Sequence, residues 1–160
     1  MPANPVDYLT TDLSPLVTSV RKHAAWQATV RPTPQGYQYN SFYDFVSQRG
    51  QLFPSQALTP DERVHLFETI DWMCRRFPIQ QCYANSIALV LQDPFFQYVE
   101  GYFVSEKIGP GCPILHGWVT LDDKVIDLTA RLAVPRKSGR LRDRVLGEFP
   151  AGREYFGVPI

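Results

Sequence analysis

The spacing of apolar residues changes once along this chain, and that change limits the fold more than any other feature. Up to about Gln92 apolar residues recur every three or four positions, whereas beyond Tyr98 they alternate. Helices first and an antiparallel sheet second describe an α+β domain. A chain of 160 residues has room for one sizeable core. A single domain over 1–160 is therefore expected, with 1–78 as a mainly helical buttress and 79–160 as a helix plus antiparallel sheet.

Local signals place the elements. Residues 1–14 carry few periodic apolar positions and read as an arm. Ser14 offers an N-cap with Pro15 at the first helical position, and a helix of about a dozen residues follows with Leu16, Val20 and Ala24 on one face. Arg31 to Gly36 (RPTPQG) forms a loop. A short helix covers Phe42 to Gln48, with Gly50 as its C-cap. Thr59-Pro60-Asp61-Glu62 is a capping box, and Leu66, Ile70, Met73 and Phe77 form the buried stripe of a helix that Pro78 ends. A further helix opens near Cys82 and runs to about Gln92, with Tyr83, Ile87, Val90 and Leu91 on its apolar face. Tyr98 to Val104, Ile114 to Leu121 and Val125 to Thr129 read as strands, the last two joined at Asp122-Asp123. Tyr155 to Val158 reads as a last short strand.

Composition excludes several classes. With 44% hydrophobic and 20% charged residues the chain is neither disordered nor a coiled coil. Sixteen basic side chains balance sixteen acidic ones, so no global charge draws the chain to nucleic acid or to an anionic membrane. No apolar run approaches the roughly 18 residues of a membrane span, and MPANPVDYLTTDLSP has neither the basic start nor the apolar run of a signal peptide. Three cysteines, an odd number, argue against a disulfide framework and for a reducing, cytoplasmic setting.

The stretch from Cys82 to Asp127 carries chemistry. A nucleophilic cysteine must be a thiolate, and a helix N-terminus lowers a thiol pKa through its unpaired N–H groups and dipole. The thiolate also needs a base, and the base needs an orienting acceptor. His116 and Asp127 can supply both. If the apolar residues Leu115, Val119, Leu121, Ile126 and Leu128 share the core face, His116 and Asp127 share the other, provided the connection has two or four residues. They are then opposite or diagonal neighbours, about 5 to 8 Å apart at Cβ.

These residues also carry a resemblance. QCY (Gln81 to Tyr83), EGY (Glu100 to Tyr102), HGW (His116 to Trp118) and VIDLT (Val125 to Thr129) together resemble the transglutaminase-like core of the papain-like cysteine enzymes. That family shows a Gln-Cys-Trp-like helix start, a Gly-Tyr strand, a His-Ala-Trp strand and an Asp-Pro-Thr strand in this order. Tyr83, Gly117 and Leu128 depart from the pattern. The resemblance implies a papain-like fold, with a catalytic helix packed on a small antiparallel sheet. It also implies Cys82 as nucleophile, His116 as base and Asp127 as orienter in acyl transfer on protein or peptide amides, whether as amide hydrolase, deamidase or transglutaminase. The backbone N–H of Cys82 with Gln80 or Gln81 would stabilise the oxyanion, and Tyr102 and Trp118 are candidates to line the cleft. No metal or organic cofactor is implied.

Plainer readings compete. A buried free cysteine is commonly a small hydrophobe, which suits Cys74, and Cys112 sits in a Gly/Pro loop. Cys74, Cys82, Cys112 and His116 lack the paired spacing of a zinc site. His23 and His65 read as helix-surface residues. Glu100 faces either cleft or solvent. The run from Arg131 to Arg144 holds six basic residues against Asp143 and reads as a solvated loop. Its sharper alternative is a docking patch for an acidic partner at Arg136, Arg140, Arg142 and Arg144; nucleic acid is disfavoured by the neutral total. A catalytically silent transglutaminase-like binding module is the other alternative.

Overall fold

The computed structural model describes residues 14–53, 55–73, 80–105, 109, 112–129 and 153–160. Among them the elements run α1 (Pro15–Val30), α2 (Phe42–Arg49), β1 (Gln51–Phe53), α3 (Pro60–Trp72), α4 (Cys82–Gln92), β2 (Gln97–Ser105), β3 (Ile114–Leu121), β4 (Lys124–Ile126) and β5 (Arg153–Pro159). The strands form one antiparallel sheet in the order β1-β5-β2-β3-β4. The α+β class expected from the periodicity is present, but β1, which lies between α2 and α3 in the expected helical half, joins the sheet beside β5. No described helix is long and apolar enough to cross a membrane.

Capping fixes where the helices begin. The Ser14 hydroxyl accepts from the Val17 N–H and donates to Glu154 on β5, which also accepts from the Leu16 N–H. A carboxylate at the positive end of α1 thus ties that helix to the sheet. The Thr59 hydroxyl accepts from the Glu62 N–H at 3.2 Å, and Glu62 accepts from the Thr59 N–H at 2.6 Å, which completes the capping box. The second oxygen of Glu62 holds Lys124 of β4 at 2.6 Å.

Two local expectations are corrected, while Gly50 caps α2 as expected, at φ −73°. It is glycine because a Cβ there would lie 2.5 Å from the Val46 carbonyl and 2.9 Å from the Phe156 ring. Helix α3 stops at Trp72, with Met73 as its cap; Cys74, Phe77 and Pro78 lie outside the described residues. Strand β4 ends at Ile126, and Leu128 and Thr129 turn helical instead of extending it. The basic run 131–144 also lies outside the described residues.

Alternate residues of each strand face opposite ways. All four helices cover one face. There α1 and α2 pack Leu16, Val17, Val20 and Val46 against Tyr102, Val104 and Phe156, and α3 and α4 pack Leu66, Ile70 and Leu89 against Val119, Leu121 and Ile126. The other face gathers Phe53, Val99, Trp118, Val125 and Tyr155. Phe53 of β1 and Trp118 of β3 meet edge to face with centroids 5.8 Å apart, although β5 and β2 lie between them. A flat sheet would hold those strands about 14 Å apart, so the sheet curls and this face is concave. His116 through Leu121 are consequently buried on both faces, whereas Leu115, expected in the core, is exposed.

Gly101 and Gly157 stand opposite each other across β2 and β5. A Cβ at Gly101 would lie 2.2 Å from the Phe156 carbonyl, and one at Gly157 would lie 2.6 Å from the Trp118 ring. Gly101→Ala is therefore expected to destabilise the fold by about 1–3 kcal/mol, as overpacking does, with urea unfolding as the measurement.

Candidate active site

The β3–β4 hairpin turns on Asp122 and Asp123, both at positive φ (48° and 62°), the signature of a two-residue type I′ turn. Its register pairs Leu121 with Lys124 and Val119 with Ile126. One step further sets Asp127 opposite Trp118 and diagonal to His116, both on the concave face. There His116 Nε2 donates to Asp127 Oδ2 at 2.8 Å. The same oxygen accepts from the Tyr155 hydroxyl at 2.9 Å, and Arg153 Nη1 stands 3.7 Å away. Asp127 is 1% exposed and His116 5%, so this is a desolvated carboxylate with donors on two sides. The rings of Phe103, Trp118 and Tyr155 lie around the imidazole, at 4.7, 6.3 and 6.5 Å between centroids.

Helix α4 reaches this group from the convex side. Strand β4 pairs with β3 only from Val119 outward, which leaves the backbone of Gly117 open on that edge although the residue is buried. The N-terminus of α4 fills the gap. Ser86 Oγ donates to the Gly117 carbonyl at 3.1 Å, and the Gly117 N–H donates to the Cys82 sulfur. Cys82 and Ser86 are one helical turn apart and so share a face. Asn85, fully buried, donates to Thr129 Oγ1 at 3.3 Å and binds the helix to the segment just after Asp127.

The thiol is hydrogen-bonded with His116, whose Nε2 is occupied by Asp127, leaving Nδ1 for the sulfur. Burial alone would raise the Cys82 pKa. The His116 hydrogen bond, the Gly117 and Tyr83 N–H groups and the imidazolium charge outweigh it and hold the thiol below its ordinary value. Burial alone would likewise lower the His116 pKa, but hydrogen bonds with Asp127 and Cys82, and their charges, raise it to about 9. Both shifts favour a thiolate–imidazolium pair held by a buried carboxylate.

Of the residues singled out in the sequence, Cys82, His116 and Asp127 are brought together. Trp118 is fully buried and packs beneath the imidazole. Gln80 and Gln81 stand exposed just before α4, Gln80 at φ 68° and Gln81 as an N-cap whose side chain makes no capping bond. Tyr102 is not at the site. It points to the opposite face and stacks on Tyr43 at 4.3 Å, because its parity on β2 differs from that of Gly101, the cross-strand partner of His116. Cys112 is exposed. His23 Nδ1 bonds the Ser19 carbonyl at 2.8 Å, and His65 stacks on Phe96. Among the described residues no three His, Cys, Asp or Glu side chains converge as metal ligands would.

The apolar face expected for α4 is also corrected. Ile87 and Leu91 are exposed, and the buried face carries Asn85, Ser86 and Leu89. Sequence reasoning missed Ser86, Asn85, Tyr155 and Arg153. The i, i+4 pairing of Cys82 with Ser86 and the i, i+2 pairing of Arg153 with Tyr155 are the signals that could have found them. Searches against protein-family models, curated proteins and solved structures give no match in any of the three.

Asp127→Asn removes the carboxylate that raises the His116 pKa, so an NMR titration of the imidazole should move from about 9 to well below it. Because the folded value lies above the ordinary 6.5, the pairing's contribution to stability is complete below that pH and lost as pH rises through about 9. Tyr155→Phe leaves a buried carboxylate short of one donor and should cost about 1–3 kcal/mol in denaturant unfolding.

Proposed function

We propose that this protein is a cysteine-dependent acyl-transfer enzyme in which Cys82, His116 and Asp127 act as a triad on amide bonds of protein or peptide. One observation carries the reading: a helix-terminal thiol shares a hydrogen bond with an imidazole whose other nitrogen is held by a buried carboxylate. The transglutaminase-like resemblance of QCY, EGY, HGW and VIDLT supports the same reading, as does the packing of helix α4 on an antiparallel sheet.

The mechanism follows from the pair. The Cys82 thiolate attacks the acyl carbonyl, and the carbon–sulfur bond forms as the carbonyl electrons move to oxygen. The free Cys82 N–H at the start of α4, with the Gln81 or Gln80 side chain, stabilises the oxyanion. His116 gives the proton on Nδ1 to the leaving amine as the carbon–nitrogen bond breaks. Water or a second amine, deprotonated by His116, then cleaves the thioester and restores the thiolate. Asp127 remains ionised and keeps Nε2–H pointed at itself, which fixes Nδ1 toward sulfur. The aromatic wall of Phe103, Trp118 and Tyr155 limits water around the imidazole and strengthens each of these interactions.

A cysteine-directed activity probe followed by peptide mapping tests the reading. The label is expected on Cys82 near pH 7, ahead of Cys112, and absent in Cys82→Ala with the fold retained. Asp127→Asn should slow labelling by about 10³–10⁴, the scale of a misheld imidazole. Equal labelling of Cys82 and Cys112, or an unchanged rate in Asp127→Asn, would reject the assigned roles.

A further inference from the structure

The convex side of the candidate nucleophile holds a second constellation. Glu100 lies directly opposite Gly117 in the β2–β3 register, and Gly117 is the residue whose N–H meets the thiol. Gly117 has no side chain, and the position of its absent Cβ is approached by the Tyr83 ring at 2.9 Å and the Tyr98 hydroxyl at 3.1 Å. The Tyr98 hydroxyl donates to Glu100 Oε1 at 2.5 Å. Tyr83, Tyr98 and Glu100 are all half-buried, so the group is neither closed off nor fully hydrated.

The charge balance here is one-sided. The other half-buried or buried carboxylates among the described residues have structural duties: Glu154 caps α1, Glu62 holds Lys124, Asp127 holds His116, Asp44 accepts from the Asn40 N–H, and Asp93 accepts from the Thr69 hydroxyl. Among the described residues no cation pairs with Glu100, whose hydrogen-bond partner is a neutral phenol. Burial and the nearby Cys82 and Glu100 charges push the Tyr83 hydroxyl up to about 12, and burial with the Glu100 hydrogen bond raises Tyr98 further. Both phenols therefore stay protonated and neutral at physiological pH. What remains is one carboxylate beside two electron-rich phenols, the chemistry that receives an ammonium or guanidinium by ion pairing and by cation–π contact.

We propose that Glu100, Tyr83 and Tyr98 form a cation subsite beside Cys82, which selects acyl substrates carrying an ammonium or guanidinium group next to the reacting carbonyl. The proposal rests on the reading of Cys82 as a nucleophile and adds the class of substrate it takes. The cation can come from a free chain N-terminus or from a lysine or arginine side chain, and both present the same charge to Glu100.

Three chloromethyl ketones of similar size separate these cases, each losing chloride as the Cys82 sulfur bonds to its methylene carbon. Norleucyl chloromethyl ketone carries only an α-ammonium, the Nα-acetyl-lysyl form only a side-chain ammonium, and the Nα-acetyl-norleucyl form neither. The rate of Cys82 labelling is followed by mass spectrometry in the wild type, in Glu100→Gln and in Tyr98→Phe. At least one cationic probe is expected to label about tenfold faster than the neutral one, in line with one charge-assisted hydrogen bond. The faster of the two identifies the source of the cation. Glu100→Gln, which keeps the shape and the Tyr98 contact, should abolish that ratio, and Tyr98→Phe should reduce it. Equal rates for all three probes, or a ratio that survives Glu100→Gln, would overturn the subsite while leaving the nucleophile intact. Labelling of Cys82 no faster than of Cys112 by every probe would instead overturn the nucleophile and the subsite with it.

Discussion

A buried sheet edge cannot be left unpaired, and strand β3 has one. Beyond Val119 its β4 partner stops, so the N–H and carbonyl of Gly117 would each cost about 1–3 kcal/mol if desolvated without a partner. Helix α4 answers both, Ser86 at the carbonyl and Cys82 at the N–H. The position of the sulfur is thus dictated by a structural requirement of the strand. The imidazole belongs to the adjacent residue on that same strand, so meeting the edge requirement also sets the thiol against His116.

The concave face supplies the other half. Curling carries β5 over the end of β3, and Tyr155 and Arg153 arrive at the carboxylate that β4 has brought beneath the imidazole. A carboxylate at 1% exposure is tolerable only with such donors. Burial opposes charge on both Cys82 and His116, yet the hydrogen bonds outweigh it in each case. The low-dielectric wall and the bonds inside it therefore act together: the wall makes each bond stronger, and the bonds keep the wall from neutralising the groups.

Much of this was legible in the amino-acid order, and the exceptions share a cause. Caps at Ser14 and Thr59 and the alternation around Asp122-Asp123 are local, so they marked the starts of α1 and α3 and set His116 and Asp127 on one face. The face of α4 was misread because hydrophobicity was taken as the guide, whereas its buried positions include Asn85 and Ser86, polar groups spent on backbone and on Thr129. Tyr102, a candidate for the cleft, packs on Tyr43 instead, since a strand reverses its facing at every residue. Tyr155 and Arg153 escape a reading of the sequence because β5 inserts between β1 and β2, in pairings across about two-thirds and one-third of the chain that no local pattern encodes. The close approach of Trp118 to Gly157 likewise joins strands that are distant in sequence.

The thiolate–imidazolium pair is open to direct spectroscopy. Absorbance of the thiolate near 240 nm, taken as the difference between the wild type and Cys82→Ala across a pH titration, reports the charge on one sulfur. The account predicts that this signal titrates in below the ordinary thiol pKa of about 8.5, and that His116→Gln shifts it upward. A signal that grows in only through the ordinary thiol range, and is unmoved by His116→Gln, would contradict it.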